Sequence, residues 1–183
     1  SQLEARVLMM STNNILSPSS GKPIIVPSQD IVLGIYYLSI LRKNQIGEGR
    51  SFLDLNEIIK ALENKDINLH SKIIARVKDF NGNFSTTETT AGRMILGDIL
   101  PKNENINFDM LNKVLTKKEV SNIIDTVYRF CGQKETVLFA DKIMGIGFRY
   151  AAMAGISFGK DDLIIPKDKN SLLEKTQSKV QEY

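Results

Sequence analysis

Residues 72–90 constrain the fold of this chain more than any other stretch, because the spacing of apolar residues changes there. Two runs, 72–80 and 83–90, flank Asn81-Gly82, and the second run is rich in threonine, a residue of high β-propensity. Asn-Gly supplies the two positive-φ residues of a type I′ turn, so the stretch predicts a β-hairpin. Apolar residues elsewhere recur mostly at helical spacing. We therefore predict a mixed α+β fold, with helices around a small hairpin or sheet.

Helical patterns occur on both sides of the hairpin. Ser28 is the expected N-cap of the second helix. The loop 13–28 is rich in Asn, Ser, Pro and Gly, and its apolar run 24–26 predicts a brief edge strand. Residues 161–166 are expected to close the core. The patterns predict helices over residues 1–12, 30–41, 53–62, 91–100, 117–130 and 172–180, and a long apolar stretch covers 137–153.

Both ends of the chain interrupt a helical pattern. The first helix has little sequence before it, and the last one runs to Tyr183 without a glycine cap or a breaker. We therefore expect both ends to be cuts in a longer polypeptide. Frayed termini of an ordinary chain with a processed Met are the alternative.

The composition excludes several classes of protein. The 183 residues carry 24 Lys and Arg against 21 Asp and Glu, a formal net charge of +3, so no strongly basic nucleic-acid surface stands out. The lone Cys131 excludes a disulfide framework and a multi-thiolate metal site. No stretch approaches the ~20 consecutive apolar residues of a membrane helix, and the N-terminal segment lacks the features of a signal peptide. A soluble protein of a reducing compartment is expected.

Gly145 and Gly147 follow the apolar run 136–140 and resemble the start of a dinucleotide-binding turn. Such a site needs a third glycine, and Tyr150 occupies that position. The acidic residue expected about 20 positions further on is also misplaced, because the pair Asp161-Asp162 comes too early. The two glycines are better explained as small residues that permit close helix packing.

No metal site is predicted within this chain. Residues 79–83 (DFNGN) mimic the first ligands of a calcium loop, but Thr90 stands where that loop needs a bidentate Glu. The turn explains the same residues. Asp161 and Asp162 are adjacent, so their carboxylates point in different directions in either regular structure. We expect them to cap a helix or to form surface ion pairs.

Nucleophilic catalysis is not predicted either. His70 is the only imidazole, and no motif such as GxSxG accompanies it. We expect His70 to be a surface or capping residue and Cys131 to be a small buried apolar residue. The residues alone thus provide no catalytic constellation, and no catalytic residue is assigned.

Several sequence blocks, in a fixed order, resemble a known family. The run 4–18 (EARVLMMSTNNILSP), followed by 21–30 (GKPIIVPSQD), closely resembles β′, the largest catalytic subunit of bacterial DNA-directed RNA polymerase. It is similar to the stretch just C-terminal to that subunit's magnesium-binding aspartate loop. The resemblance continues through 89–93 (TTAGR), 139–144 (FADKIM), 147–152 (GFRYAA), 155–162 (GISFGKDD) and 164–166 (IIP), and so spans essentially the whole chain.

The resemblance implies a location in the enzyme. Residues 1–166 would form the pore domain, which lines the secondary channel, and residues 167–183 would begin a funnel or rim helix. Nucleoside triphosphates, backtracked RNA 3′ ends and transcript-cleavage factors use this channel in the family. The implied partners are the remainder of β′ and the β, α and ω subunits, in the cytoplasm and without a membrane.

The resemblance also implies which chemistry is absent. The family transfers nucleotidyl groups with two Mg²⁺ ions, the first held by three aspartates of an NADFDGD loop, and the full-length subunit holds Zn²⁺ elsewhere. This chain contains no such loop. We therefore expect no cofactor in this segment, and we expect the isolated segment to be inactive. An NADFDGD loop within about twenty residues upstream of Ser1 would support the resemblance.

Two residues are candidates for a substrate path by similarity. Asn13 in the STNN run and Gln29 in the PSQD run would lie near the inner mouth of the channel. Neutral amides hydrogen-bond phosphate oxygens or ordered water without trapping a highly charged substrate. The alternative is that the STNN run caps the first helix and residues 28–30 cap the second.

Two other functions remain open from the sequence. One is a pure interaction or scaffold module that docks other polymerase parts or factors. The other is an autonomous nucleotide-binding domain that uses the Gly145 region.

Overall fold

The predicted hairpin lies in a three-stranded mixed sheet. In the computed structural model, which describes residues 1–157 and 159–182, β2 (Lys72–Lys78) pairs antiparallel with β3 (Phe84–Thr90). The short strand β1 (Ser51–Phe52) pairs parallel with β2, so the order is β1-β2-β3. The α+β prediction is confirmed. Phe158, from the block 155–162, and Tyr183, the end of the predicted terminal helix, lie outside the described residues.

The hairpin turn differs from the predicted two-residue type I′ turn. The amide of Asp79 donates to the carbonyl of Asn83 at 2.9 Å, so three residues form the loop. Only Gly82 has a positive φ, of 87°, and its amide donates to the carbonyl of Asp79 at 3.2 Å. This is a type I turn followed by a left-handed glycine. Oδ1 of Asp79 stabilises it by accepting from the amide of Asn83 at 2.7 Å.

Six α-helices occur within the described residues, and α3 and α4 among them contact the sheet. Their starts follow from local capping: Oδ1 of Asp54 accepts from the amide of Glu57 at 2.9 Å, and Oγ1 of Thr90 accepts from that of Arg93 at 3.3 Å. The helices are α1 (Gln2–Glu4, continued by the π-helical turn Ala5–Met9), α2 (Asp30–Ser39), α3 (Leu55–Glu63), α4 (Ala91–Asp98), α5 (Lys117–Ala154) and α6 (Lys169–Glu182).

The long helix α5 joins two segments that the sequence pattern treats separately. It is interrupted at Gly132, whose φ of 82° and ψ of −178° are readily adopted only by glycine. Oγ1 of Thr136 donates to the carbonyl of Gly132 at 2.8 Å and so satisfies one of the backbone groups at the interruption. The interruption redirects the chain immediately before Gln133.

Two hydrophobic clusters form the core. The larger one joins α2, α4 and α5 with the connection 106–115, and the smaller one packs α3 beneath the sheet. Burial of these side chains is the main favourable contribution to folding. The larger cluster includes Ile35, Leu38, Leu96, Leu111, Leu115, Ile124, Val127, Phe139 and Ile143; the smaller includes Ile58, Ala61, Ile67, Ile73 and Ala75.

Three predictions about elements at the periphery are wrong. Residues 24–26 form no strand; instead Leu16 and Pro23 form an isolated bridge, and the amide of Ile24 donates to the carbonyl of Ile15 at 2.7 Å. Ser28 is not the N-cap of α2, because Gln29 occupies that position. Residues 161–166 do not close the core: they are exposed, and Ile164 is 90% exposed.

Candidate functional site

Asn13 ends a 3₁₀ turn, Ser11–Asn13, that follows the N-terminal helix. Its side-chain amide nitrogen donates to the carbonyls of Arg6 at 3.3 Å and Val7 at 3.2 Å. These carbonyls belong to the last turn of the helix, where they lack intrahelical partners. Asn14 acts in the same way, donating to the carbonyls of Leu8 and Met10, each at 2.9 Å. The two amides of the STNN run therefore cap the C-terminal end of the first helix.

Gln133 of α5 holds this turn from the other side. Its Nε2 donates to the carbonyl of Thr12 and lies 3.4 Å from Oδ1 of Asn13. The interruption at Gly132 brings the Gln133 side chain to this position. A cavity of about 370 Å³ next to the contact is lined by Thr12, Gln133, Lys134, Val137 and Leu138. No sequence signal pointed to Gln133, because its partner is 120 residues away in the chain.

Gln29 occupies the N-cap position of α2 with an unusual backbone. Its φ of 50° and ψ of −122° lie in a region that non-glycine residues rarely adopt, and its carbonyl accepts from the amide of Leu33 at 3.1 Å. Gln29 is exposed, and its side chain does not cap the helix. Among the described residues, no hydrogen bond joins Gln29 to Asn13. Both α2 and the Ser11–Asn13 turn pack on α5.

Two glycines fix α2 against α5. A Cβ added to Gly34 would lie 1.8 Å from the carbonyl oxygen of Gly147, and one added to Gly147 would lie 2.6 Å from Cγ2 of Ile31. The close packing predicted for Gly147 is confirmed. Gly145 has open space around it and takes no part in the contact. Gly147 is thus buried in a helix crossing, where a dinucleotide could not approach it.

A buried arginine ties α4 to the end of α2. Arg93 is 7% exposed; its Nε donates to the carbonyl of Ser39 at 2.9 Å and its Nη1 lies 3.4 Å from Oδ1 of Asn112. Ser39 Oγ in turn accepts from the amide of Leu115 at 2.9 Å. Desolvation lowers the pKa of Arg93. Within the described residues Arg93 makes no salt bridge, so its charge is met by neutral acceptors. The sequence block TTAGR contains Arg93, but nothing in the pattern indicated its burial.

The predicted surface position of His70 is wrong, but a capping contact is present, because Ile40 is the C-cap residue of α2 and its carbonyl lies against the imidazole. His70 is 3% exposed, and its Nδ1 lies 3.1 Å from the carbonyl oxygen of Ile40. The ring of Tyr37 contacts it edge-on, with the centroids 4.6 Å apart. Burial is the largest cause that lowers the pKa of His70; the bond to Ile40 raises it, and nearby Arg42 lowers it further. The buried Nε2 has no hydrogen-bond partner among the described residues, which favours the neutral ring.

The remaining titratable candidates provide no metal or nucleophilic site. Within residues 1–157 and 159–182, no group of three His, Cys, Asp or Glu side chains could hold a metal ion. The Mg²⁺ ions implied by the resemblance therefore have no fitting ligand set there. Cys131 is half-buried, and burial together with Glu135 raises the pKa of its thiol, which disfavours the reactive thiolate. Oδ2 of Asp162 accepts from the amide of Gly159 at 2.7 Å, as predicted for a capping residue.

A comparison with known protein families identifies the family of this chain. The model of the family described as RNA polymerase Rpb1, domain 3, matches residues 14–163. The chain belongs to this family.

As a member of the Rpb1 domain 3 family, the chain is a segment of the largest subunit of DNA-directed RNA polymerase, a nucleotidyltransferase of transcription. Its partners accordingly include other polymerase subunits. The match covers Gln29, Arg93 and Gln133 and begins one residue after Asn13. In the part of the chain that the structure describes, no helix has the length and apolar character needed to cross a membrane.

Proposed function

We propose that this chain is the pore domain of a bacterial β′-type subunit and lines the secondary channel by which nucleoside triphosphates reach the active centre. The support is the ordered series of sequence blocks together with the family match over residues 14–163. In this proposal residues 1–166 form the channel wall, and residues 167–183 begin the funnel or rim. The cytoplasm is the compartment that follows from a bacterial polymerase.

The observation that carries the proposal is that Gln29 is exposed and has a strained backbone with a positive φ. A non-glycine residue at positive φ costs roughly 1–3 kcal/mol, and such strain persists where the surrounding structure imposes it, commonly at functional positions. No capping hydrogen bond from the Gln29 side chain to the first turn of α2 compensates for this strain. The amide is therefore exposed to solvent on a helix held firmly by the Gly34–Gly147 contact. A neutral amide there hydrogen-bonds passing phosphates or their water without adding an attractive charge.

Asn13 contributes differently to the proposed wall. Both of its amide contacts go to carbonyls of the first helix, so its donors are engaged. Its side-chain oxygen lies beside Gln133. We assign Asn13 the role of shaping the turn at the inner mouth, and Gln29 the more direct contact with the substrate path.

The chemistry itself belongs to other parts of the polymerase. Nucleotidyl transfer requires metal ions at the RNA 3′ oxygen and the triphosphate, and the described residues hold no ligand set for them. The proposed contribution of this chain is passage and orientation of the triphosphate. The same passage would admit a backtracked RNA 3′ end and transcript-cleavage factors, with the β, α and ω subunits and the rest of β′ as its surroundings.

Steady-state kinetics of full-length polymerase test this proposal. Gln29→Glu keeps the size of the side chain and adds a charge that repels the triphosphate, and two unit charges 4 Å apart interact by about 1 kcal/mol in water. We expect an apparent KM for nucleotides about fivefold above wild type, a smaller increase for Gln29→Ala, and a nearly unchanged kcat. Asn122→Asp, which places the same charge on an exposed position of α5, is the matched control.

Wild-type values of KM, kcat and transcript cleavage in both Gln29 variants would refute the channel role. They would leave the second candidate, a scaffold module without a substrate-facing side chain. That candidate is favoured by the exposed apolar side chains of Leu3, Leu8 and Met9 at one end and of Leu163 and Ile164 at the other. Apolar groups of this kind are typical of surfaces that pack against other protein.

A further inference from the structure

The first helix, residues 2–9, contains no buried residue. Its apolar side chains, such as those of Leu3 and Met9, are exposed. The chain becomes extended at Met10, with a φ of −65° and a ψ of 132°, so no helical amides follow to satisfy the carbonyls of the last turn. Burial therefore contributes little to the position of this helix. The hydrogen bonds that its last turn accepts from side chains become decisive.

Asn14 makes the shorter of the two pairs of side-chain hydrogen bonds to this last turn. Its Nδ2 donates to the carbonyls of Leu8 and Met10, each at 2.9 Å. Nδ2 of Asn13 lies 3.2 and 3.3 Å from its two acceptors, whereas such bonds are commonest near 2.9 Å. Because a carbonyl oxygen only accepts, an ionised carboxylate of the same shape could not replace the amide. Asn14 is therefore the stronger tie between the helix and the residues that follow it.

Asn14 is also adjacent to a residue that is anchored in the domain. Ile15 is buried, and its carbonyl accepts from the amide of Ile24 at 2.7 Å. The backbone amide of Asn14 donates in the other direction, to the carbonyl of Ser11 at 3.1 Å. Asn14 thus joins a buried anchor on one side to an exposed turn and helix on the other. A change at its side chain is therefore transmitted to the turn that carries Asn13.

We propose that Asn14 is a positioning residue of the substrate path. Its amide sets the position of the Ser11–Asn13 turn relative to the buried part of the domain. This role rests on the proposed function, in which that turn lies at the inner mouth of the channel. Asn14 acts through the turn and does not itself contact the triphosphate. A displaced turn changes the lining of the path, so binding of the nucleotide is weakened while the chemical step is not.

Hydrogen exchange and steady-state kinetics of full-length polymerase test this role with two variants. Asn14→Ala removes the amide without adding a charge. Asn14→Asp keeps the shape of the side chain but replaces the donor with an acceptor that repels the carbonyls of Leu8 and Met10. Hydrogen exchange of residues 6–13 should accelerate severalfold in both variants, and more in Asn14→Asp.

The kinetic measurement separates a role in the path from a role in the chemistry. The apparent KM for nucleotides should rise about threefold in Asn14→Ala, with kcat nearly unchanged. Because this variant carries no added charge, the rise reports the position of the turn and not repulsion of the triphosphate. Asn56→Ala removes an exposed side-chain amide of α3 and is the matched control. It should equal wild type in hydrogen exchange of residues 6–13 and in KM.

Unchanged hydrogen exchange of residues 6–13 in both Asn14 variants would overturn the proposal, because the side chain would then not hold the turn. Faster exchange with a wild-type KM in Asn14→Ala would overturn it too, and a raised KM in Gln29→Glu would then leave the channel role standing without Asn14. Wild-type KM in Asn14→Ala and in both Gln29 variants would contradict the channel role itself, and the role of Asn14 with it. A lower kcat at unchanged KM would place the effect on the chemical step and also contradict the proposal.

Discussion

Gly34 lies directly against the carbonyl oxygen of Gly147 where α2 crosses α5. A Cβ on Gly34 would approach that oxygen to 1.8 Å and the backbone nitrogen of Ala151 to 2.9 Å. Both neighbours are backbone atoms of a helix, so neither can yield as a flexible side chain would. This contact holds the first turn of α2, and with it Gln29, at a fixed distance from α5.

Gly34→Ala should therefore lower the free energy of unfolding by about 2 kcal/mol or more, since overpacking of a tight contact costs roughly 1–3 kcal/mol. Gly145→Ala is the control on the same helix, because a Cβ there meets nothing within 4 Å. It should be neutral or should raise stability by up to about 1 kcal/mol through helix propensity. Urea denaturation of both variants makes the comparison. Equal effects of the two substitutions would contradict the proposed tight crossing.

Stability should depend on pH through His70, the only histidine of the chain. Burial lowers its pKa in the folded state below the ordinary value of 6.5, so the unfolded state binds the proton more readily. The stability that neutral His70 contributes is therefore fully present above about pH 6.5. It falls as the pH drops from there through the folded pKa. Urea denaturation between about pH 7.5 and pH 5.5 measures this fall, in a range where most carboxylates stay ionised.

His70→Gln is the matched variant for this measurement. Its amide retains a donor for the carbonyl of Ile40 but does not titrate. The loss of stability between the two pH values should be markedly smaller in this variant than in the wild type. An identical pH dependence in both proteins would show that the imidazole is not its source.

Arg93→Lys should lower the free energy of unfolding by about 1–3 kcal/mol, because a lysine cannot reproduce the fork that meets both Ser39 and Asn112. The acceptors are neutral, so the loss should be nearly the same at about 0.05 M and 0.5 M salt. Denaturation at the two salt concentrations checks this expectation. A loss that disappears at high salt would indicate an acidic partner and contradict the neutral network.

Gln133→Ala should loosen the Ser11–Asn13 turn without unfolding α5. The substitution removes the donor to the carbonyl of Thr12 and the neighbour of Asn13 Oδ1. Hydrogen exchange of residues 11–14 should accelerate severalfold, while the exchange of α5 beyond Val137 should not change. Lys134→Ala, an exposed neighbour on the same helix, is the control. Unchanged hydrogen exchange of the turn would mean that the bonds from Asn13 and Asn14 to the first helix are enough to hold the turn without Gln133.

The sequence predicted those parts of the fold that local chemistry determines. The threonine-rich strand and Asn81-Gly82 predicted the hairpin correctly, but not its turn, because the side chain of Asp79 selects a longer loop by accepting from Asn83. The two halves of α5 were predicted as separate elements. The intervening residues 131–136 are mostly polar and contain a glycine, so nothing in their pattern indicates that helix continues on both sides of Gly132.

The parts of the site that depend on distant partners could not be predicted. His70 is buried by Tyr37 and by the carbonyl of Ile40, thirty residues away in the chain, although Asn68 and Ser71 near it in sequence are polar. The same holds for Gln133 and its contact with the turn of Asn13. Gln29 and Asn13 came from resemblance to a family, and their role as substrate-path residues remains a prediction. The apolar pattern of residues 1–12 predicted a helix correctly, but Leu8 is 67% exposed, and no described element covers it.

Cryo-electron microscopy of the full-length polymerase with an incoming nucleoside triphosphate tests the central claim most directly. The measurement is the position of the Gln29 side chain relative to the nucleotide path. We predict that the amide of Gln29 faces an open channel and lies within reach of the triphosphate or of one intervening water. A structure in which Gln29 is covered by protein, away from any route to the active centre, would contradict it.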